Sequence, residues 1–309
     1  MIGHVPRLEA RAALLSVAVG VALLAVKFAA YFLTGSAAIF SDALESIVNV
    51  LASFFAVYSL FLAHEPPDKN HPYGHGKVEF MSAGFEGGMI VLAALVIAYK
   101  AITAFIAGQE VQSAAAGLGL MAAAMVANGG LGFYLVRLGK QRHSLTLEAD
   151  GHHLLADAVT SIAVIIALAI VHLTRFKYAD PIAALAVAAY ITWMGVSLLR
   201  RSASGLMDTE DTADAKLLSE LLTSHIGPHA REPRICSFHK LRHRHTGRYH
   251  WVDFHIVVPA SWNIARGHDV ASAIEHEIEL ALGEGDATAH VEPCTDTPCT
   301  HCAEEARRP

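Results

Sequence analysis

Two short stretches place metal-binding residue types at helical spacing. In SDALESIVN, Asp42, Glu45 and Asn49 stand at i, i+3 and i+7, which puts all three on one helical face. In DGHHLLAD, Asp150, His153 and Asp157 repeat that spacing. One imidazole nitrogen from His153, two carboxylate oxygens from Glu45 and Asp157 and an amide oxygen from Asn49 form a tetrahedral donor set for a divalent ion such as zinc. The Asn49 amide is neutral and harder than a third acid, which leaves cadmium, iron, cobalt and manganese open beside zinc. The competing reading is interhelical hydrogen bonding by scattered polar residues, and two matched stripes argue against scatter.

Both stripes lie inside apolar runs. Spanning a bilayer core takes about 20 apolar residues, and runs of that order at 12–33, 36–63, 79–107, 114–136, 144–172 and 181–199 predict six transmembrane helices. Composition agrees: 309 residues, 53% hydrophobic and 17% charged, with a mean hydropathy of +0.39, are too apolar for a soluble chain. A carboxylate at the bilayer centre costs roughly 2.5–3.5 kcal/mol, so the two stripes need a cation or protons to offset their charge. Glu45 and His153 lie about ten residues into their helices and Asn49 and Asp157 about fourteen; antiparallel packing would bring the four together. Asp150 falls on the inner side of the four and Asp42 on the outer side, as candidate loading and release steps or as simple hydrated helix ends.

No cleavable signal peptide is expected, because the first run, Ala12 to Leu33, is too long and no small-residue cleavage site closes it. With the N-terminus inside, the inner segments hold nine basic residues, Arg7, Arg11, Lys69, Lys77, Arg137, Lys140, Arg142, Arg200 and Arg201, and the outer loops only Arg175 and Lys177. That asymmetry puts both termini in the cytoplasm of a multi-pass protein of the plasma (inner) membrane. Lys27 and Lys100 fall near outer helix ends, where long stems can snorkel to the headgroups. A net charge of −6 without a basic face excludes nucleic acid as a partner.

After Arg201 the pattern becomes that of a soluble domain. Residues 213–226 and 267–282 read as amphipathic helices, SFHKLRHRHTGRYHWVDFHIVVP as two strands joined at Thr246-Gly247, and ATAHVEP as a last strand. The expected fold is an all-α six-helix transmembrane domain (1–203) followed by a small α+β (αββαβ, ferredoxin-like) cytoplasmic domain (209–293) and a Cys-containing tail (294–309).

Three further groups could hold metal. Asp68, His71 and His75 form a D-x-x-H-x-x-x-H triplet in one loop, close enough to share an ion. In the soluble domain, His255 alternates with Asp253 on one strand face, and His290 with Glu292 on another. The histidines of HRHTGRYH (His243, His245, His250) read as surface residues. All four cysteines lie in the polar end, which excludes a disulfide framework for the apolar part; Cys294, Cys299, His301 and Cys302 could capture metal or be an idle tail.

NHPYGHGKVE at 70–79, the acidic second helix, HLLAD at 153–157 and the αββαβ tail together resemble the cation diffusion facilitator family, over about residues 9–293. The resemblance implies a transport site on two residue pairs four apart. His153 and Asp157 match one pair in full, and Glu45 and Asn49 occupy the other, with Asn49 departing from the usual acid. It also implies a bound, non-transported zinc at Asp68, His71 and His75, and a two-metal site from His239, His255, His268, His290 and Glu292. Finally, it implies a homodimer held largely by the tail domain, a charge interlock using Lys77 and Asp208, and regulation by cytoplasmic zinc.

Exporting a divalent cation against 100 mV, inside negative, costs about 4.6 kcal/mol, and each incoming proton returns about 2.3 kcal/mol. An antiporter working by alternating access, with protons as counter-ion, is the expected function. A membrane-anchored metal sensor is the alternative. An enzyme is not expected, since no His-Glu-x-x-His helix or comparable activated-water site occurs.

Overall fold

Over the first two-thirds of the chain, polar side chains turn inward and apolar ones outward. Ser16, Ser53, Ser59, Ser82 and Glu86 are buried, while Leu14, Phe54, Leu92, Leu95, Ile106 and Trp193 are exposed. That inversion is what a hydrocarbon solvent demands of a helical bundle. The structure, a computed structural model, describes residues 5–34, 37–107, 115–174, 178–227 and 230–295. It divides into two compact units, Met1–Leu206 and Met207–Pro309.

The first unit is six helices: α1 (Arg7–Thr34), α2 (Ala37–Ala63), α3 (Val78–Ala107), α4 (Ala115–Arg142), α5 (Leu145–Thr174) and α6 (Ala179–Leu206). Among the described residues, Arg7–Ala29, Val78–Ile106 and Pro181–Leu206 are each long and apolar enough to cross a membrane, and Asn49–Ala63 is a shorter apolar stretch. All six apolar runs are helices, but several helices outrun their apolar runs. α1 starts at Arg7 and α6 continues to Leu206. Hydropathy marks only the part in hydrocarbon, whereas the extensions are held by polar contacts: Glu9 meets His64 at 3.4 Å, and Arg201 grips Glu148 through both guanidinium nitrogens.

α3 packs most extensively on α6, and α4 on α5. Glycines allow the second of these contacts: a Cβ on Gly132 would stand 2.8 Å from the Gly151 carbonyl oxygen, and one on Gly151 would stand 2.7 Å from the Val136 nitrogen. Backbones in such contact leave no room for a side chain, which fixes α5 against α4 and so fixes the stripe that α5 carries.

The second unit comprises α7 (Thr212–Ser224), β1 (Ser237–Thr246), β2 (Tyr249–Val258), α8 (Ile264–Leu282) and β3 (Gly285–Pro293). β1 and β2 are antiparallel, β2 and β3 are parallel, and the strand order is β1-β2-β3. The helices cover one face, where Val252, Phe254, Ile256 and Val258 meet Leu218, Leu222, Ile274 and Ile278. This is the expected αββαβ two-layer order, with local shifts.

α8 begins three residues before 267 because Asn263 caps it, accepting from the Arg266 N–H at 2.8 Å. α7 stops at Ser224, and the buried His225 leaves the helix to contact the Pro233 carbonyl and Glu277. The hairpin loop is Gly247-Arg248 rather than Thr246-Gly247. Thr246 pairs with Tyr249, and Gly247 takes the positive φ of 63° that a two-residue hairpin turn needs at its first position.

A bulge in β1 has the largest consequence. His239 pairs with His255, but the next registered pair is Arg242 with Asp253, and Lys240 between them has φ 50°. One extra residue reverses side-chain parity, so His239 faces the open side of the sheet while His243 faces the helix-covered side.

Candidate metal-transport site and accessory clusters

α2 and α5 supply the two stripes, and hydrogen bonds fix their register. The Asn49 amide nitrogen donates to Asp157 Oδ2 at 2.8 Å, and Ser53 Oγ donates to Asp150 Oδ1 at 3.1 Å. As α2 advances from 49 to 53, its partners on α5 recede from 157 to 150, so the helices are antiparallel. His153, one turn from Asp157, is 7% exposed, and its Nε2 has no hydrogen-bond partner among the described residues. A buried imidazole nitrogen left unpaired is costly, and a bound cation would satisfy it.

Counting from helix starts puts Glu45 level with His153, but the direction of the helices does not. Because α2 and α5 run in opposite directions, equal counts give equal depth only near mid-helix, where Asn49 meets Asp157. The backbone of Glu45 is one helical turn from Asn49 on the side away from Ser53. The side chains of Glu45 and Asp42 lie outside the described residues.

Two further charged residues face this region, and of these only Lys27 is singled out by the sequence alone. Glu86 on α3 is 1% exposed, and neither carboxylate oxygen has a hydrogen-bond partner among the described residues. A lone glutamate inside FMSAGFEGGMIVLAAL was signal enough, since an ionisable residue at membrane depth is a functional candidate by default. Lys27 is the other. Instead of reaching outward to the headgroups, it donates from Nζ to Ser46 Oγ at 2.7 Å, next in sequence to Glu45. The buried Ser46 hydroxyl on α2 receives the ammonium, while Lys100 is exposed.

In the loop after α2, Asp68 Oδ1 accepts from the N–H groups of Asn70 (2.8 Å) and His71 (2.6 Å). His71 Nδ1 is 3.4 Å from Asp68 Oδ2, and His75 Nε2 is 3.0 Å from His71 Nδ1 and 3.5 Å from Asp68 Oδ2. Ligands of a tetrahedral zinc ion stand about 3.3 Å apart, so these three atoms already have suitable spacing. The His71 backbone N–H, foremost, pulls the Asp68 carboxyl below the ordinary carboxylate range. That carboxylate's contribution is present above its ordinary pKa and is lost only as pH falls through the depressed value. Asp68→Asn is expected to weaken zinc binding by the loop at least tenfold and so to raise the pH at which zinc is released, as read by zinc titration across pH.

On the open face of the sheet, His239, His255 and His290 stand in one row across β1, β2 and β3. Glu292 joins them, with Oε1 2.7 Å from His255 Nδ1 and Oε2 3.3 Å from His239 Nε2. His290 Nε2 lies 3.8 Å from Glu292 Oε1. The contact with His255, foremost, holds Glu292 below its ordinary pKa. His268 is not among them: it stands exposed on α8. Asp208 meets Arg244 at 3.5 Å.

The histidines of HRHTGRYH are not all surface residues. The bulge turns His243 inward, where it is 5% exposed beneath α7. Cys294 continues the sheet, donating its N–H to the Val258 carbonyl at 2.7 Å, whereas Cys299, His301 and Cys302 lie outside the described residues.

Comparison with known proteins agrees with this architecture. The family description "Cation efflux transmembrane domain" matches residues 13–207, and "Cation efflux protein, cytoplasmic domain" matches residues 229–294. An uncharacterized transporter of Synechocystis sp. is 38% identical over 290 residues, covering 94% of this chain and 92% of the relative. The manganese efflux system protein MneP of Bacillus subtilis is 29% identical over 296 residues (93% and 97%), and the cation-efflux pump FieF of Shewanella oneidensis 25% over 285 (92% and 94%). The helical unit of membrane-spanning character, the small sheet domain after it and the matched relatives show that the chain belongs to the cation diffusion facilitator family of divalent-cation efflux transporters.

Proposed function

We propose that this protein exports a divalent transition metal, zinc foremost, from the cytoplasm in exchange for protons, through Glu45, Asn49, His153 and Asp157. The observation carrying the proposal is the meeting of Asn49 and Asp157 across two antiparallel helices beside a buried, unpartnered His153 nitrogen. The donors must be deprotonated to hold metal and can take protons once it leaves, which couples the two fluxes at one place. Glu86 and Asp150 supply negative charge beside the site and draw the cation toward it from the cytoplasmic side, and Asp42 serves its release.

The working unit is a homodimer in the plasma (inner) membrane, with both termini cytoplasmic, alternating between inward- and outward-open forms. The domain match to a family of dimerising cytoplasmic modules and the nine inner against two outer basic residues support this arrangement. Asp68, His71 and His75 hold one resident zinc. His239, His255, His268, His290 and Glu292 hold regulatory zinc, with His268 on α8 brought in when metal binds. Iron, cobalt, cadmium and manganese compete at the transport site, and the manganese named in one relative keeps that metal in view.

Proteoliposomes test the coupling. With a zinc-sensitive dye inside and an acid-inside pH gradient, zinc uptake should run at least tenfold faster than without the gradient, and the lumen should lose protons as zinc enters. Zinc uptake indifferent to the gradient would remove proton exchange from the proposal. Metal binding with no uptake under any gradient would favour a membrane-anchored sensor.

A further inference from the structure

Beneath the first turn of α7, the helix-covered face of the sheet carries a cluster separate from the row on the open face. His243 and His245 alternate along β1, and His250 on β2 pairs directly with His245, so His243 and His250 are diagonal neighbours on one face. Their rings stack at 5.3 Å with an interplanar angle of 16°, and His243 Nε2 lies 3.0 Å from His250 Nδ1. Asp214 Oδ2, from α7, completes a triangle at 3.7 Å from His243 Nε2 and 3.5 Å from His250 Nδ1. The three edges bracket the spacing of about 3.3 Å between ligands of one tetrahedral zinc ion.

We propose that Asp214, His243 and His250 form an additional site for a zinc-class divalent cation, which clamps the start of α7 to the β1–β2 hairpin. The set is two neutral nitrogens and one carboxylate oxygen with a coordination position left for water, a combination that suits borderline ions and not calcium or magnesium. The His243 side chain is fully buried, and its Nδ1 has no hydrogen-bond partner among the described residues. Ligation through Nε2 puts the ring proton on Nδ1 and disturbs no hydrogen bond that Nδ1 makes among the described residues. Burial also holds the His243 imidazole below its ordinary pKa, with Asp214 opposing.

The position gives the ion a mechanical role. Asp211 caps α7 by accepting from the Ala213 and Asp214 N–H groups, so Asp214 sits on a fixed first turn. An ion there ties the helix that follows α6 to a hairpin whose opposite face bears the His239, His255, His290 and Glu292 row. Cytoplasmic metal would stiffen this unit from both faces of one sheet.

The full chain in detergent tests the proposal without recourse to transport. Zinc bound per chain is measured by equilibrium dialysis at the free zinc concentration that just saturates the wild type, together with hydrogen exchange of α7 with and without zinc. Asp214→Asn and His250→Asn, both at partly exposed positions, should each lose one zinc equivalent and the zinc-dependent protection of α7. His239→Ala, which alters the other face, should lower the stoichiometry yet keep that protection. If the Asp214 and His250 variants retain both the wild-type stoichiometry and the protection, the cluster is only a histidine pair joined by a hydrogen bond and the proposal fails. Absence of zinc flux in vesicles would overturn the transport proposal and leave this result unaffected.

Discussion

His153→Ala should lower zinc flux in proteoliposomes at least about a hundredfold. Perturbing groups that merely orient metal ligands already costs about 10–100-fold in affinity, and His153 is proposed as a ligand itself. Its Nε2 is buried and has no other hydrogen-bond partner among the described residues, so no existing contact explains its presence there. The adjacent His152 provides the control, because it turns to Glu148 at 3.5 Å. His152→Ala should therefore keep flux within a few-fold of wild type. Equal losses in the two variants would point to a packing defect in α5 and not to a ligand.

Asn49→Asp should tighten zinc binding at the transport site by about tenfold or more, equivalent to about 1.4 kcal/mol, and should make binding depend on one further proton. In the wild type the Asn49 amide donates to Asp157 at 2.8 Å, a neutral donor beside a carboxylate. With aspartate there, two carboxylates at hydrogen-bond distance repel each other unless a proton or a cation lies between them. The metal-free variant therefore takes up a proton that zinc must displace, and the zinc-bound variant gains a charged ligand. Isothermal titration in buffers of different ionisation enthalpy reads both quantities. Unchanged affinity and unchanged proton release would place the Asn49 side chain outside the coordination shell, as a positioning residue for Asp157.

Much of this organisation is legible in the residues themselves. Six apolar runs of spanning length become six helices, because lipid leaves the backbone little alternative. The αββαβ order follows from the switch between helical and alternating periodicity after Arg201. The pairing of Asn49 with Asp157 follows from stripe spacing, but the depth of Glu45 relative to His153 does not, since counting along a helix ignores its direction. Glu86 and Lys27 were visible as ionisable residues in apolar runs; what they face depends on how α3 and α1 turn against their neighbours, which no local pattern fixes. His243 was obscured for another reason. Strict alternation from His239 puts it on the open face, and only the bulge at Lys240 reverses the parity and buries it. A single inserted residue thus separates an open-face histidine row from an inward-facing cluster.

The central claim, that metal crosses through the residues shared by α2 and α5, is tested most directly by Asp157→Ala in proteoliposomes under an acid-inside pH gradient. Asp157 is the point where the stripes touch, and it lies on neither the loop nor the sheet cluster. Zinc flux should fall to that of protein-free vesicles while zinc remains bound at the loop and the second unit. Unchanged zinc flux in Asp157→Ala would contradict the account.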